Sequence, residues 1–274
     1  MAQVLVHYAE LGLKGKNRRR FEEALRRQLR GALGADKVLR EHGRLVVELS
    51  DWSQDKAELL ARLPGVRWFA RTEPAPLDID AMGEVAIALI REEWGEDVAG
   101  KRFRVLARRS DKRAPIKTIE IHEKLGGLLR RRLNLVVNLD EPEIVVGVEI
   151  ARPDRADIFV RRWEGIGGLP VGTSGRGVVL FSGGLDSPVA AYWMLKRGMA
   201  LELVHFYNSA IARDFGKIER LSALLSRYGG MIRLHLVDLE AFQRHAIAHV
   251  PADWRMVIYK RQMLRVAERI ARNA

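Results

Sequence analysis

The chain has 274 residues, 47% of them hydrophobic, and no cysteine, which excludes disulfides and thiolate metal sites and points to a cytoplasmic protein. Its formal net charge of +12 and its pI near 10.3 call for a polyanionic partner. No apolar run approaches the roughly 20 residues of a membrane span, and the N-terminus lacks a basic segment followed by an apolar one, so neither a membrane partner nor a signal peptide is read.

In chain order, residues 3–75 alternate as β-α-β-β-α-β. Val4–Tyr8 reads as a strand, and a helix over about Arg18–Leu33 carries Phe21, Leu25 and Leu29 at helical spacing. Val38–Leu49 reads as a hairpin turning at His42-Gly43-Arg44, followed by a short helix over Lys56–Leu63 and a strand over Val66–Ala70. This order is the ferredoxin-like pattern. Pro74 and Pro76 then suggest a boundary. Residues 76–165 give a helix over Ile79–Trp94, a strand over Phe103–Ala107, a helix over Thr118–Leu133, and strands at Ile144–Ile150 and Asp157–Arg162. From Lys101 to Arg132 there are 12 Lys/Arg against three acids, a footprint suited to phosphates and so to nucleic acid. Six glycines between Gly165 and Gly177 mark a linker, or a loop packed close to a ligand.

Residues 166–274 form the third unit. Strands at 178–181, 201–207 and 231–237 alternate with helices at 187–197, 215–228 and from about 254 onward, which implies a parallel sheet with ligands at the strands' carboxyl ends. The most specific signal lies at the first of these ends, where Ser182-Gly183-Gly184-Leu185-Asp186-Ser187 follows Val178-Val179-Leu180-Phe181 and precedes an amphipathic helix. Glycines admit close backbone approach, and a helix N-terminus offers free N–H groups to an anion. Asp186 repels phosphate and makes sense there with Mg²⁺ between them. No lysine follows in the manner of a Walker P-loop, G-x-x-x-x-G-K-[ST], and no G-x-G-x-x-G is present. His245 and His249 are four apart without the H-E-x-x-H glutamate, so zinc is not read.

The hexapeptide SGGLDS resembles the PP-loop of the ATP-pyrophosphatase superfamily, which cleaves ATP between its α and β phosphates. Gly12-Leu13-Lys14-Gly15-Lys16-Asn17-Arg18, Ala107–Arg113, Gly168–Ser174 and Tyr259–Leu264 resemble, in order, segments of the tRNA 4-thiouridine synthase (tRNA sulfurtransferase) family. The resemblance implies an α/β chain with an α+β N-terminal half: a ferredoxin-like domain (1–75), a THUMP RNA-binding domain (76–165) and a partial PP-loop domain with a parallel sheet (166–274). It implies ATP bound by Leu180, Phe181, Ser182, Gly183, Gly184, Asp186, Ser187, His205, Phe206 and Arg261, with Asp186 acting through Mg²⁺. It implies tRNA contacts at Lys14, Lys16, Arg18, Arg108, Arg109, Lys112 and Arg113. The chain has Tyr207-Asn208-Ser209-Ala210 where the family usually has a proline-containing turn. The implied reaction is adenylation of a tRNA uridine, followed by sulfur transfer from a persulfide to give 4-thiouridine. The implied partners are tRNA, a cysteine desulfurase and a second copy of the chain, and a role in supplying sulfur for thiamine thiazole goes with some relatives. The family's sulfur-carrying cysteine lies beyond the segment that this chain matches, so the expectation is a truncated chain. The rival readings are a tRNA-binding protein with a degenerate ATP domain, and an amidating PP-loop ligase. The basic N-terminal half argues against the second.

Overall fold

The computed structural model describes residues 1–41, 43–211 and 214–273; His42, named above in the hairpin turn, lies outside them. The side chains of Leu13 and Lys14 are likewise outside the described set. The chain divides into two compact units. One holds Met1–Tyr8, Leu29–Ala61 and Arg67–Gly165, and the other holds Ala9–Gln28, Arg62–Val66 and the residues from Ile166 onward.

The first unit carries strands β1 (Ala2–Tyr8), β2 (Lys37–Glu41), β3 (Arg44–Leu49) and β4 (Val66–Pro76) with helix α2 (Gln54–Arg62). Helix α1 (Arg18–Leu33) runs through both units. The first unit continues with α3 (Ile79–Trp94), β5 (Arg102–Arg109), α4 (Thr118–Leu133), β6 (Val136–Val137), β7 (Ile144–Ile150), β8 (Arg155–Phe159) and β9 (Trp163–Glu164). Among the described residues these strands make one sheet in the order β2-β3-β1-β4-β8-β7-β5-β6, with β9 beside β4. The first four strands keep the ferredoxin-like order, and β5, α4 and β7 form a parallel crossover.

Pro74 and Pro76 do not break the chain: they end β4, which pairs there with β8 through Glu73↔Ile158 to Pro76↔Arg155. The two prolines are two residues apart, so both missing N–H groups fall on one side of the strand and leave the other side to β8. The basic half has its core between sheet and helices, from Met82, Ala86 and Ile90 of α3, Ile121, Leu125 and Leu129 of α4, and Phe103, Ile144, Val146 and Val148 of the strands. α3 is capped by the Asp78 carboxylate, which accepts from Ala81 N at 2.9 Å.

A buried ion network crosses the fold of this sheet. Arg44 on β3 is 1% exposed; it pairs with Glu149 on β7, with Asp157 on β8 at 2.7 Å and with Glu41 at 3.1 Å. His7 on β1 adds a bond from Nε2 to Glu149 at 3.1 Å, and Gln3 donates to Asp157 at 2.9 Å and to Thr72 at 3.0 Å. In sheet order β3 and β7 are four strands apart, roughly 19 Å in a flat sheet at about 4.8 Å per strand. A guanidinium cannot span that distance, so the sheet bends back on itself through β4, and the two arms face each other across Arg44.

The second unit holds a 3₁₀ segment (Glu10–Asn17), β10 (Arg176–Leu180), α5 (Asp186–Lys196), β11 (Ala200–Tyr207), α6 (Gly216–Gly229), β12 (Arg233–Asp238), α7 (Glu240–His249) and α8 (Ala252–Asn273). The three strands are parallel in the order β10-β11-β12. One sheet face packs Val179, Phe181, Leu201 and Leu203 against Ala191 and Leu195 of α5 and Ile218 and Leu225 of α6. α8 packs against β10, and α7 is a helix that the sequence reading passed over. No helix among the described residues is long and apolar enough to cross a membrane.

The network makes two predictions. Arg44→Met leaves the Glu149 and Asp157 carboxylates buried without their cation and should cost about 3–5 kcal/mol in urea unfolding. A loss under 1 kcal/mol would show that the arms do not depend on it. Burial pushes the Glu149 carboxyl up, but the His7 hydrogen bond and the charges of His7 and Arg44 outweigh it and hold the group below its ordinary value. A carboxyl with a lowered folded-state pKa adds stability that is fully present above about pH 4.5 and is lost as pH falls through the folded value. Unfolding free energies measured across pH 3–6 should therefore fall toward acid, and Glu149→Gln should flatten that fall.

Candidate functional site: a phosphate loop and a basic face

The second unit's site begins where β10 runs out. Phe181 N still donates to Val204 O at 2.8 Å, and after it the chain leaves the sheet and enters α5 within five residues. The two serines tie that turn. Ser182 N donates to Ser187 Oγ at 2.9 Å, the Ser187 hydroxyl donates to Ser182 O at 3.1 Å, and Gly184 N donates to Ser182 Oγ at 3.3 Å. The hydroxyls of Ser182 and Ser187, both expected at the ATP site, are thus engaged in holding the loop's shape. α5 has no side-chain cap at its N-terminus, which leaves its first-turn N–H groups to an anion. A Cβ on Gly183 would meet Ile218 at 3.5 Å, so this glycine lies directly against the first turn of α6. Asp186 is exposed at the first position of α5, where the helix dipole favours its charge.

The second strand end stands beside the loop. His205 Nδ1 lies 2.9 Å from Phe181 O; a carbonyl only accepts, so Nδ1 donates. This imidazole fastens β11 to the end of β10. Phe181 is buried in the core, which leaves its backbone, not its ring, for a ligand. The register Leu180↔Val204 places Leu180 and Phe206 on the opposite face from Phe181 and His205, and there Leu180 is 40% exposed. Tyr207 packs edge-on against Phe215 at 4.8 Å. Arg261 is exposed on α8, the helix that packs on β10, and makes no ion pair among the described residues.

The glycine-rich stretch before β10 packs at the other end of α5. Leu169 N donates to Lys196 O at 2.9 Å, Ser174 Oγ to Arg197 O at 2.7 Å, and a Cβ on Gly168 would lie 2.1 Å from Lys196 O. An 11-residue helix is about 16 Å long, so this loop fixes α5 from behind and is not a wall of the ligand site.

The basic residues divide by what they already hold. Arg109 donates to Ala114 O at 3.2 Å and to Ile116 O at 2.9 Å, and Arg113 pairs with Asp111 at 2.7 Å, so both shape the 110–117 loop. Arg108 and Lys112 are exposed and have no ion pair among the described residues. Lys16 is exposed in the 3₁₀ segment, while Arg18 donates to the buried Glu22 at 2.7 Å. Lys14, also expected here, lies outside the described side chains. Lys16 and Arg18 belong to one unit, and Arg108, Arg109, Lys112 and Arg113 to the other.

The structure adds a trough of about 540 Å³ that sequence reasoning missed. Arg104, Leu106 and Arg108 line it from alternate positions of β5, opposite Val145, Gly147 and Glu149 of β7. Phe159 fills the space over Gly147, where a Cβ would lie 2.1 Å from the ring. Trp68 stacks on His7 at 3.9 Å and carries the Arg162 guanidinium at 5.0 Å. Arg104 donates from Nη1 to Leu139 O at 3.0 Å, and its buried Nε has no hydrogen-bond partner among the described residues. The period-two Arg104-x-Leu106-x-Arg108 was visible in sequence, but Trp68 and Arg162 join it only through the strand pairing. No group of three or more metal ligands occurs among the described residues, His245 and His249 included.

Comparison with known proteins agrees with this geometry. Residues 172–274 match the family described as thiamine biosynthesis protein (ThiI), residues 3–70 the ThiI ferredoxin-like domain, and residues 77–160 the THUMP domain. The chain is 39% identical over 277 aligned residues to a probable tRNA sulfurtransferase of Brevibacillus brevis, covering 98% of this chain and 68% of that protein. It superposes with a TM-score of 0.87 and 35% identity on a 4-thiouridine synthetase solved with RNA and bound ATP, covering 100% of this chain and 71% of that one. A Pyrococcus horikoshii protein follows at TM-score 0.77 and 27% identity, covering 90% of this chain and 82% of that one. With a glycine loop at the end of a parallel sheet, a basic folded sheet before it and a relative 39% identical over 98% of this chain and 68% of its own length, the chain belongs to the tRNA sulfurtransferase (ThiI) family.

Proposed function

We propose that the chain is the tRNA-binding and uridine-activating part of a tRNA uridine 4-sulfurtransferase. The observation that carries the reading is the serine-tied Gly183-Gly184 turn at the uncapped start of α5, in a chain whose other unit presents Arg108, without an ion pair among the described residues, on a sheet-face trough. The first-turn N–H groups of α5 and the backbone of Gly183 and Gly184 would hold ATP's phosphates, with Leu180, Phe206 and His205 toward the base. The uridine O4 attacks the α-phosphorus and pyrophosphate leaves, which turns a poor leaving oxygen into an adenylate. Helix dipole and loop amides stabilise the charge on the departing pyrophosphate. Arg261 supplies a further guanidinium for phosphate.

Asp186 is exposed and unpaired among the described residues, which fits a single-carboxylate Mg²⁺ site completed by phosphate oxygens. When bound, Mg²⁺ would neutralise phosphate charge. None of the 274 residues is a cysteine, so the persulfide sulfur that displaces AMP arrives on another thiol, for which a cysteine desulfurase is the source. The same sulfur relay serves thiamine thiazole in this reading, in the cytoplasm and with the chain as a homodimer. The limits of the three matched families, 3–70, 77–160 and 172–274, support a functional division near residues 75 and 165.

Calorimetric titration with ATP and Mg²⁺ tests the nucleotide half. Asp186→Ala should weaken binding by about tenfold or more, as loss of a metal-borne charge contact does; unchanged affinity takes Asp186 out of the site. For the RNA half, tRNA affinity should fall steeply with salt, and Arg108→Ala should reduce the slope of log K against log[salt] by about one. A flat salt response would refute the phosphate footprint.

A further inference from the structure

We infer that Lys217 is the cation that holds the ATP polyphosphate over the glycine loop, supplying from α6 the charge that this loop's own sequence lacks. The inference rests on reading SGGLDS as the ATP site. A Walker loop carries its lysine next to the glycines, and here the position after Gly183-Gly184 is Leu185, followed by the anionic Asp186. Beside the loop amides, a Mg²⁺ on Asp186 and Arg261 of α8, the three to four phosphate charges still lack a cation on the loop's own flank.

Lys217 stands where that charge is missing. It is the second residue of the 14-residue helix α6, whose buried neighbour Ile218 anchors the turn in the core. The aliphatic part of Lys217 runs across the loop, with its Cδ 3.7 Å and its Cε 3.9 Å from where a Gly183 Cβ would be. Any side chain at 183 would contact it, so the loop glycine and the lysine share one space. The ammonium is exposed and has no carboxylate partner among the described residues. Glu219, two residues on, is the first-turn acid of α6 and makes no ion pair with Lys217 among the described residues, and Asp214 is engaged: its Oδ1 accepts from Gly216 N at 2.9 Å.

The placement also runs against helix electrostatics. The first turn of a helix carries partial positive charge and favours acids, so a cation there is unfavourable by a few tenths of a kcal/mol to about 1 kcal/mol. The same turn carries the acid Glu219, and Arg220 follows it with Nη1 3.3 Å from a Cβ on Gly216. A bound polyanion reverses the sign: α5 and α6 then both present N-termini to it, and Lys217 completes the cradle from the side opposite Asp186's helix.

The test uses the whole chain with Lys217→Met and Lys217→Arg, titrated in Mg²⁺ with ATP and separately with adenosine. Lys217→Met should weaken ATP by about 10- to 100-fold, the range for one hydrogen bond to a charged group, with adenosine affinity unchanged. Lys217→Arg should restore most of the ATP affinity. Because Lys217 is exposed, the thermal midpoints of both variants should match the wild type. Equal ATP binding by wild type and Lys217→Met, or parallel loss of ATP and adenosine, overturns the inference and leaves the ATP reading standing. Adenosine and ATP both failing to bind the wild type would instead overturn the ATP reading, and the inference with it.

Discussion

Arg44 is a full charge taken out of water, and the two-armed sheet is organised around it. The desolvation of a guanidinium and two carboxylates is repaid only when every partner is in place at once. Those partners come from strands far apart in sequence: Glu149 and Asp157 from one arm, Glu41 from the other, with His7 and Gln3 filling the remaining valences. A hydrophobic contact tolerates sliding; a fork of N–H groups bound to two carboxylates does not. The network therefore fixes the bend through β4 and with it the position of Trp68, which stacks on His7 and carries Arg162 at the trough's edge. The shape of the basic face is a consequence of what is buried beneath it.

The phosphate loop obeys a different economy. Gly183 lies in van der Waals reach of the first turn of α6, and both serine hydroxyls are spent on the turn itself. What remains for a ligand is backbone: amides whose direction is fixed by β10 and α5. Such a cradle is rigid, pre-aimed and neutral. A neutral cradle discriminates by shape, and the compensating charge has to come from elements that reach in from elsewhere in the sheet.

How much of this was legible in the sequence follows the range of the interactions. α1, α3 and α4 lie where their 3.6-residue spacing put them, and the SGGLDS turn sits at a parallel strand end, because periodicity and turn chemistry are local. Pro74 and Pro76 do not interrupt β4, since a proline stops only one side of a strand, and the partner β8 that uses the other side is some 80 residues away (Pro74↔Asp157). α7 was passed over because its ten residues carry a single buried side chain, Ala246, and so no apolar stripe. The glycine-rich 165–177 stretch left two options open, and only the contacts of Gly168 and Leu169 with Lys196 O decide between them. Arg44 in a hairpin turn reads as a surface residue; its burial depends on carboxylates more than a hundred positions on.

The same distinction sharpens what the net charge of +12 means. Most arginines in the basic half are answered within the protein: Arg71 by Glu92, Arg102 by Glu141 and Glu143, Arg132 by Glu84, Arg161 by Glu93. Exposed pairs of this kind contribute little stability, and a cation already beside a carboxylate releases few counterions on meeting a phosphate. The exposed cations without an ion pair among the described residues include Arg108 on β5, Lys112 on the loop that Arg109 and Asp111 brace, and Arg130 and Arg131 on α4. A basic composition alone does not separate the cations that are answered within the protein from those that are not; the strand pairings and ion pairs do.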